Sequence, residues 1–262
     1  PWSPQTGYGR FNVMERKGER SGAYKEYLKP ALKRKNLDVC TGSMVSKINL
    51  DGTKATGVQV ETGASTTTVR LAPGGEVLLC GGALHSPQLL MLSGLGPKDH
   101  LSELGIPVLK DLPGVGKNLQ DHPAAVVSYE CSAEHAGISP TSLMRIRGTK
   151  LTNPLPVLQW LLKKTGVLTS VGCDHGGFFR TSKASGIGDQ ADLQMRFLAA
   201  RAVTADGMGS FTSFRESSSH PDGFSFQSIA ARAHSRGQVR LASTKASDMP
   251  LVEMKYLDDK RD

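Results

Sequence analysis

Few residues in this chain have the type and spacing to do chemistry, and they fall into two groups. Arg196 sits in the alternating run Leu193-Gln194-Met195-Arg196-Phe197. On a strand it shares a face with Gln194, opposite Met195 and Phe197. A guanidinium stays charged and binds a carboxylate through two parallel hydrogen bonds, so an inward-facing Arg196 would suit an acidic head group. The plainer reading is an exposed strand arginine. Cys173, between Gly172 and Asp174, is either a small buried side chain or a polarizable thiol able to donate weakly. The second group is the junction Val77-Leu78-Leu79-Cys80-Gly81-Gly82, read as a buried strand running through two glycines into a helix. Such a junction lets a ligand approach the backbone and aims a positive helix end at it. It can equally solve a packing problem.

Other chemistries lack their residues. There is no H-E-x-x-H or similar metal-ligand spacing and no G-x-S-x-G elbow, so neither a metal site nor serine hydrolysis is expected. Asp174 and His175 are adjacent, so on extended chain they point to opposite faces and make no working pair. His122, after Asn118-Leu119-Gln120-Asp121, is read as structural.

The elements that must hold these groups follow from periodicity. Residues 20–35 predict a helix, interrupted at Pro30. Runs 37–41, 45–50, 57–62 and 66–71, each followed by a turn signal, predict an antiparallel meander that leads into the strand at 76–80. Ser86 is positioned to cap the next helix, Pro87 suits its first turn, and Gly94 closes it in a left-handed turn. Residues 97–122 are rich in Gly and Pro and read as an excursion between domains. Segments 124–131, 192–197, 223–231 and 237–242 read as strands of a second sheet, with helix around 157–162.

Composition narrows the class. The 262 residues include 29 Gly and 14 Pro, with 38% hydrophobic side chains, which favours strands and turns over a helical bundle. The net charge is +8 and the pI about 9.4, but the basic residues are scattered and accompany no recognition motif, so no nucleic-acid partner is expected. No apolar run approaches the roughly 20 residues a membrane helix needs, so no spanning segment is expected. Cys40, Cys80, Cys131 and Cys173 lie far apart, against a disulfide scaffold or structural zinc.

The run from Gly82 to Gly96, GALHSPQLLMLSGLG, resembles the second signature of the glucose–methanol–choline (GMC) flavoprotein oxidoreductases. Three more blocks resemble the family in the same order: Ala31 to Gly42, Gly114 to His122, and Pro250 to Asp262. The resemblance implies an α+β (mixed α/β) fold: part of a split FAD-binding domain plus a substrate domain on an antiparallel sheet. It implies domains at 1–122 (with the excursion), 123–250, and 251–262 as the return to the FAD domain. FAD is the implied cofactor, with Val45, Gly81 and Gly82 beside it. The family's G-x-G-x-x-G and its C-terminal histidine match no position here, so the sequence reads as a piece of a longer protein.

Within the family, Gly172 to Phe178, the Asp192–Phe197 run and Gln227 resemble the algal fatty acid photodecarboxylases. That implies Cys173 and Arg196 as catalytic residues and Gln227 and Phe211 as substrate-binding ones. Phe211 stands where those enzymes carry a tyrosine, so a phenol donor is missing. The implied substrate is a small molecule, a long-chain fatty acid, and the implied compartment is the chloroplast. An alcohol or choline-type dehydrogenase is the alternative, and a partial chain that binds at most a lipid is the second. Oligomeric state is left open.

Overall fold

The computed structural model describes residues 6–132, 134, 140–144, 153–182, 190–201 and 222–262. The chain divides into two compact units, each assembled from separated segments: 1–37 with 122–232, and 38–121 with 233–262.

The first unit is built on a five-stranded antiparallel sheet. Its order is Gly7–Arg10, His175–Phe179, Leu193–Leu198, Gly223–Ala230, Ala124–Glu130. Directly paired residues share a face, so the register sorts every side chain to one side or the other. One face gathers Phe197, Phe224, Phe226 and Tyr129, with Tyr129 stacked on Phe224 at 5.3 Å between ring centroids. The opposite face carries Gln194, Arg196, Gln227 and the buried Ile229.

Helix 20–35 forms in a modified way. Tyr24–Leu28 is a π-turn, followed by Lys29–Ala31. Pro30 has no N–H to give to the preceding turn, and the Lys29 N–H bonds back to Tyr24 O instead of the usual carbonyl.

The second unit contains the expected meander, Met44–Asp51, Lys54–Thr62 and Ser65–Arg70. Helices Gly82–Leu92 and Lys98–Glu103 pack around Met91, Leu92, Leu101 and Leu241. Ser93 joins the meander to the first helix: its Oγ donates to Leu89 O at 2.6 Å and accepts the buried Ile48 N–H at 2.8 Å. Gly94 closes that helix at φ +82°, where a Cβ would lie 2.5 Å from Pro107 O.

Five expectations are corrected. Residues 76–80 form no strand; a buried strand needs a ladder partner, none pairs with them among the described residues, and Leu78 is 78% exposed. The run 37–41 is likewise outside any sheet. The helix after Gly81-Gly82 begins at Gly82 itself, leaving Ser86 and Pro87 inside it rather than at its start. Finally, 97–122 is no excursion: Leu101 is fully buried in the core of the second unit. Gly237–Arg240 pairs there too, with Lys117–Leu119 and Leu251–Glu253, rather than with the five-stranded sheet.

Candidate functional site

An open cleft of about 430 Å³ lies within the second unit, between the meander and the first helix. Its lining includes the apolar Met44, Val45, Val58, Leu79, Leu89 and Leu92 and also Cys80, Gly81, His85, Ser86 and Gln88. Local chemistry sets this arrangement. Ser46 is an extra residue between the pairs Val45–Val60 and Lys47–Gln59, and such a bulge turns the neighbouring side chains off the regular alternation. Met44 and Val45, just before this bulge, both line the cleft. Gln88 is buried and braced at both ends of its amide: Nε2 donates to Asp248 O at 2.8 Å, and Oε1 lies 2.9 Å from His85 Nδ1. With the amide hydrogens so committed, Oε1 accepts from Nδ1–H, which leaves neutral His85 with its acceptor on Nε2.

The FAD expected from the resemblance can be tested against this cleft. The volume falls in the usual range for small-molecule sites, roughly 300–1,000 Å³. Apolar walls on two sides suit a flat ring system. Next to the lining residue Gly81, Gly82 adopts φ +70° with no atom within 4 Å of where a Cβ would stand, so the backbone is bare there. The helix starting at Gly82 has no side-chain cap, and its first N–H groups are available to an oxygen-rich ligand. The residues fit one end of a dinucleotide. Val45 and Gly81 both line the cleft, and Gly82 adjoins it.

Arg196, Gln227 and Cys173 belong to the other unit. Arg196 and Gln227 are direct cross-strand partners, so their side chains stand together on one face of the sheet. Gly176 is the partner of Arg196 on the other flank. Cys173 is half-buried in the turn that leads into that flanking strand, three positions before Gly176. Gly172 makes the turn at φ +88°, and Asp174 pins it: Oδ1 accepts the Val171 N–H at 3.0 Å and the carbonyl accepts the Phe11 N–H at 2.8 Å. Phe211 lies outside the described residues.

Sequence reasoning missed two aromatic residues beside this group. Phe178 pairs with Gln194 and so shares the Arg196 face, and the Phe11 ring meets it edge-on at 5.9 Å. A Cβ on Gly176 would strike the Phe11 ring at 2.5 Å, so that ring covers the glycine next to Arg196. The alternation in Gly176-Gly177-Phe178-Phe179 was the available signal for Phe178; nothing local marks Phe11. Gln88 was also missed, although its spacing of three from His85 puts both on one helix face.

The titrating groups whose behaviour is displaced are mostly structural. Burial, and then the nearby Arg240 guanidinium, push His100 below its ordinary value. Its Nε2 accepts the Leu241 N–H at 3.0 Å, which holds the neutral ring in the core. Hydrogen bonds from Lys164 and then Lys25 hold Glu19 at about 2. Tyr256 is raised by donating to Asp121 Oδ2 at 2.6 Å.

Comparison with known proteins places these features in a family. Residues 3–124 match the model of the GMC oxidoreductase family. The fatty acid photodecarboxylase, chloroplastic, of Chlamydomonas reinhardtii is 42% identical over 100% of this chain and 44% of its own length. An oxygen-dependent choline dehydrogenase of Staphylococcus xylosus is 35% identical over 98% of this chain and 42% of its own length. Among solved structures, a formate oxidase of Aspergillus oryzae RIB40 superposes with a TM-score of 0.77 at 21% identity, over 94% of this chain and 44% of that one. An FAD-dependent oxidoreductase from Chaetomium thermophilum gives 0.69 at 25% identity, over 95% and 46%. The chain thus spans less than half the length of these relatives. With the matched residues, the ordered blocks and the mixed α/β architecture in agreement, this chain belongs to the GMC oxidoreductase family.

Proposed function

We propose that this chain is part of an FAD-dependent oxidoreductase that converts a long-chain fatty acid to a hydrocarbon and carbon dioxide under light. The observation that carries the reading is the side-by-side placement of Arg196 and Gln227 on one sheet face, in a chain 42% identical along its whole length to a fatty acid photodecarboxylase. Bound FAD supplies light absorption and one-electron chemistry. The chain's own residues hold and orient. Val45, Gly81 and Gly82 receive one end of the cofactor in the cleft of the second unit. Arg196 binds the substrate carboxylate, with Gln227 adding a neutral hydrogen bond that fixes its orientation. Cys173 stands at the head group, where its polarizable sulfur contacts the reacting end without adding charge. Phe211 is proposed as a substrate-binding residue of the same enzyme. The domain division at 122 and 250 and a chloroplast location belong to the same proposal, the latter by similarity to the algal relative.

The choline dehydrogenase similarity supports a second reading, transfer of a hydride from an alcohol to FAD. Light separates the two. Purified full-length protein given palmitate is expected to release a hydrocarbon one carbon shorter under blue illumination and none in darkness. Steady turnover of an alcohol in the dark, without light-dependent hydrocarbon, would overturn the photochemical reading in favour of the dehydrogenase.

A further inference from the structure

Gln88 decides which way round the His85 ring faces the cleft. The amide is buried, and its Nε2 donates to two main-chain carbonyls, Asp248 O at 2.8 Å and Ala246 O at 3.4 Å. Carbonyls only accept, so the NH2 end must point to them and Oε1 must point to His85. Oε1 lies 2.9 Å from His85 Nδ1, and an oxygen without hydrogen requires one on that nitrogen. In the neutral ring Nε2 is then a bare acceptor. Moving the hydrogen to Nε2 would set two acceptors against each other at Nδ1. Flipping the amide to relieve them would turn Oε1 onto the two carbonyls, where a buried acceptor without a donor is costly. A main-chain carbonyl late in the chain thus fixes the polarity of a ring nitrogen at the cleft.

His85 lines this cleft together with Gly81 and Ser86. A Cβ on Gly81 would lie 3.1 Å from His85 Cβ and 3.0 Å from Ser86 N, so the turn bearing His85 is folded close against bare backbone. Among the described residues none hydrogen-bonds Nε2. The apolar part of the lining, which includes Val45, Val58, Leu89 and Leu92, can hold a flat ring but discriminates weakly between rings of one shape. A nitrogen whose tautomer is fixed discriminates strongly. Of the two ring systems of FAD only adenine carries an amine, and an amine complements an acceptor. Oxygen at the same position of a purine would meet Nε2 acceptor to acceptor, with no hydrogen between them.

We propose that His85 reads the base of the cofactor: its Nε2, held as an acceptor by Gln88, receives the exocyclic amine of adenine and rejects purines that carry oxygen there. This rests on the reading of the cleft as the site of one end of FAD, and the test separates the two. The full-length protein, freed of flavin, is titrated calorimetrically at pH 8 with ADP and with IDP, whose base has oxygen in place of the amine. ADP is expected to bind roughly ten-fold or more tighter than IDP. His85→Phe keeps a flat ring without the acceptor, and is expected to bind the two nucleotides within about two-fold of each other. Gln88→Leu tests the positioning. It frees the ring to take either tautomer, so the preference for ADP is expected to shrink, whereas a purely structural role would weaken both nucleotides alike. Circular dichroism checks that both variants are folded, and the ratio measured on the wild type needs neither. Equal affinity of the wild type for ADP and IDP overturns the proposal and leaves the FAD reading of the cleft standing, as does an undiminished preference in His85→Phe. Absence of ADP binding, or ADP binding that survives Val45→Asp in the cleft lining, overturns both.

Discussion

At the scale of single residues, Arg196 is the sharpest test of the proposed chemistry. Arg196→Lys keeps the charge but loses the two-pronged geometry, and a charge-assisted hydrogen bond is worth ~1.5–3 kcal/mol. The expected result is a KM for fatty acid raised roughly 10- to 100-fold, with kcat changed less, in light-driven assays. His100 makes a different prediction. Its folded-state value is depressed, so the unfolded chain binds the proton more readily. The stability it contributes is complete above the ordinary histidine value, about 6.5, and is lost as pH falls through the depressed one. Urea midpoints measured from pH 7.5 downward should therefore drop, and His100→Gln, which keeps an acceptor for the Leu241 N–H, should flatten that drop. Neither His100 nor Gln88 was visible as important in the sequence. Each owes its role to a partner about 140 or more positions away, at Leu241 and Asp248.

At the scale of elements, the joint between the meander and the first helix of the second unit depends on one hydroxyl. Ser93→Ala strands the buried Ile48 N–H, which costs ~1–3 kcal/mol, and equilibrium denaturation should show the loss. Gly94→Ala should cost ~2–3 kcal/mol in the same assay, from left-handed strain and the collision with Pro107 O. These turns and the meander were legible because glycine, proline and alternation act locally. The strand expected at 76–80 was not, because four apolar residues announce burial without naming a partner, and a strand exists only when a second one supplies its ladder. Ser86 and Pro87 misled for a related reason. Both favour a helix start, but the backbone freedom of Gly81 and Gly82 lets the first turn form earlier.

At the scale of the molecule, the family could be read from four ordered blocks, whereas the interleaving of the two units could not. Glycine and proline density made 97–122 look like a connection, yet Leu101 and Ile106 bind it into a core that residues 241 and 246 complete. Local pattern carries no information about which distant segment returns. The cleft in the second unit gives a test at this scale. If Val45 and Gly81 receive the cofactor, Val45→Asp should abolish flavin retention by the full-length protein, read as loss of its visible absorption, while leaving the circular dichroism intact.

The bracing of Gln88 by Asp248, residues 160 positions apart, has a consequence for biosynthesis. The segment 38–121 leaves the ribosome long before 233–262, with all of 122–232 translated between them. At about 5–20 residues per second that interval lasts many seconds, during which the helix bearing Gln88 waits without its closing partner. The five-stranded sheet, whose last strand ends at Ala230, is complete first. Nascent chains stalled before residue 248 should accordingly be cut by protease within 38–121 while the sheet resists.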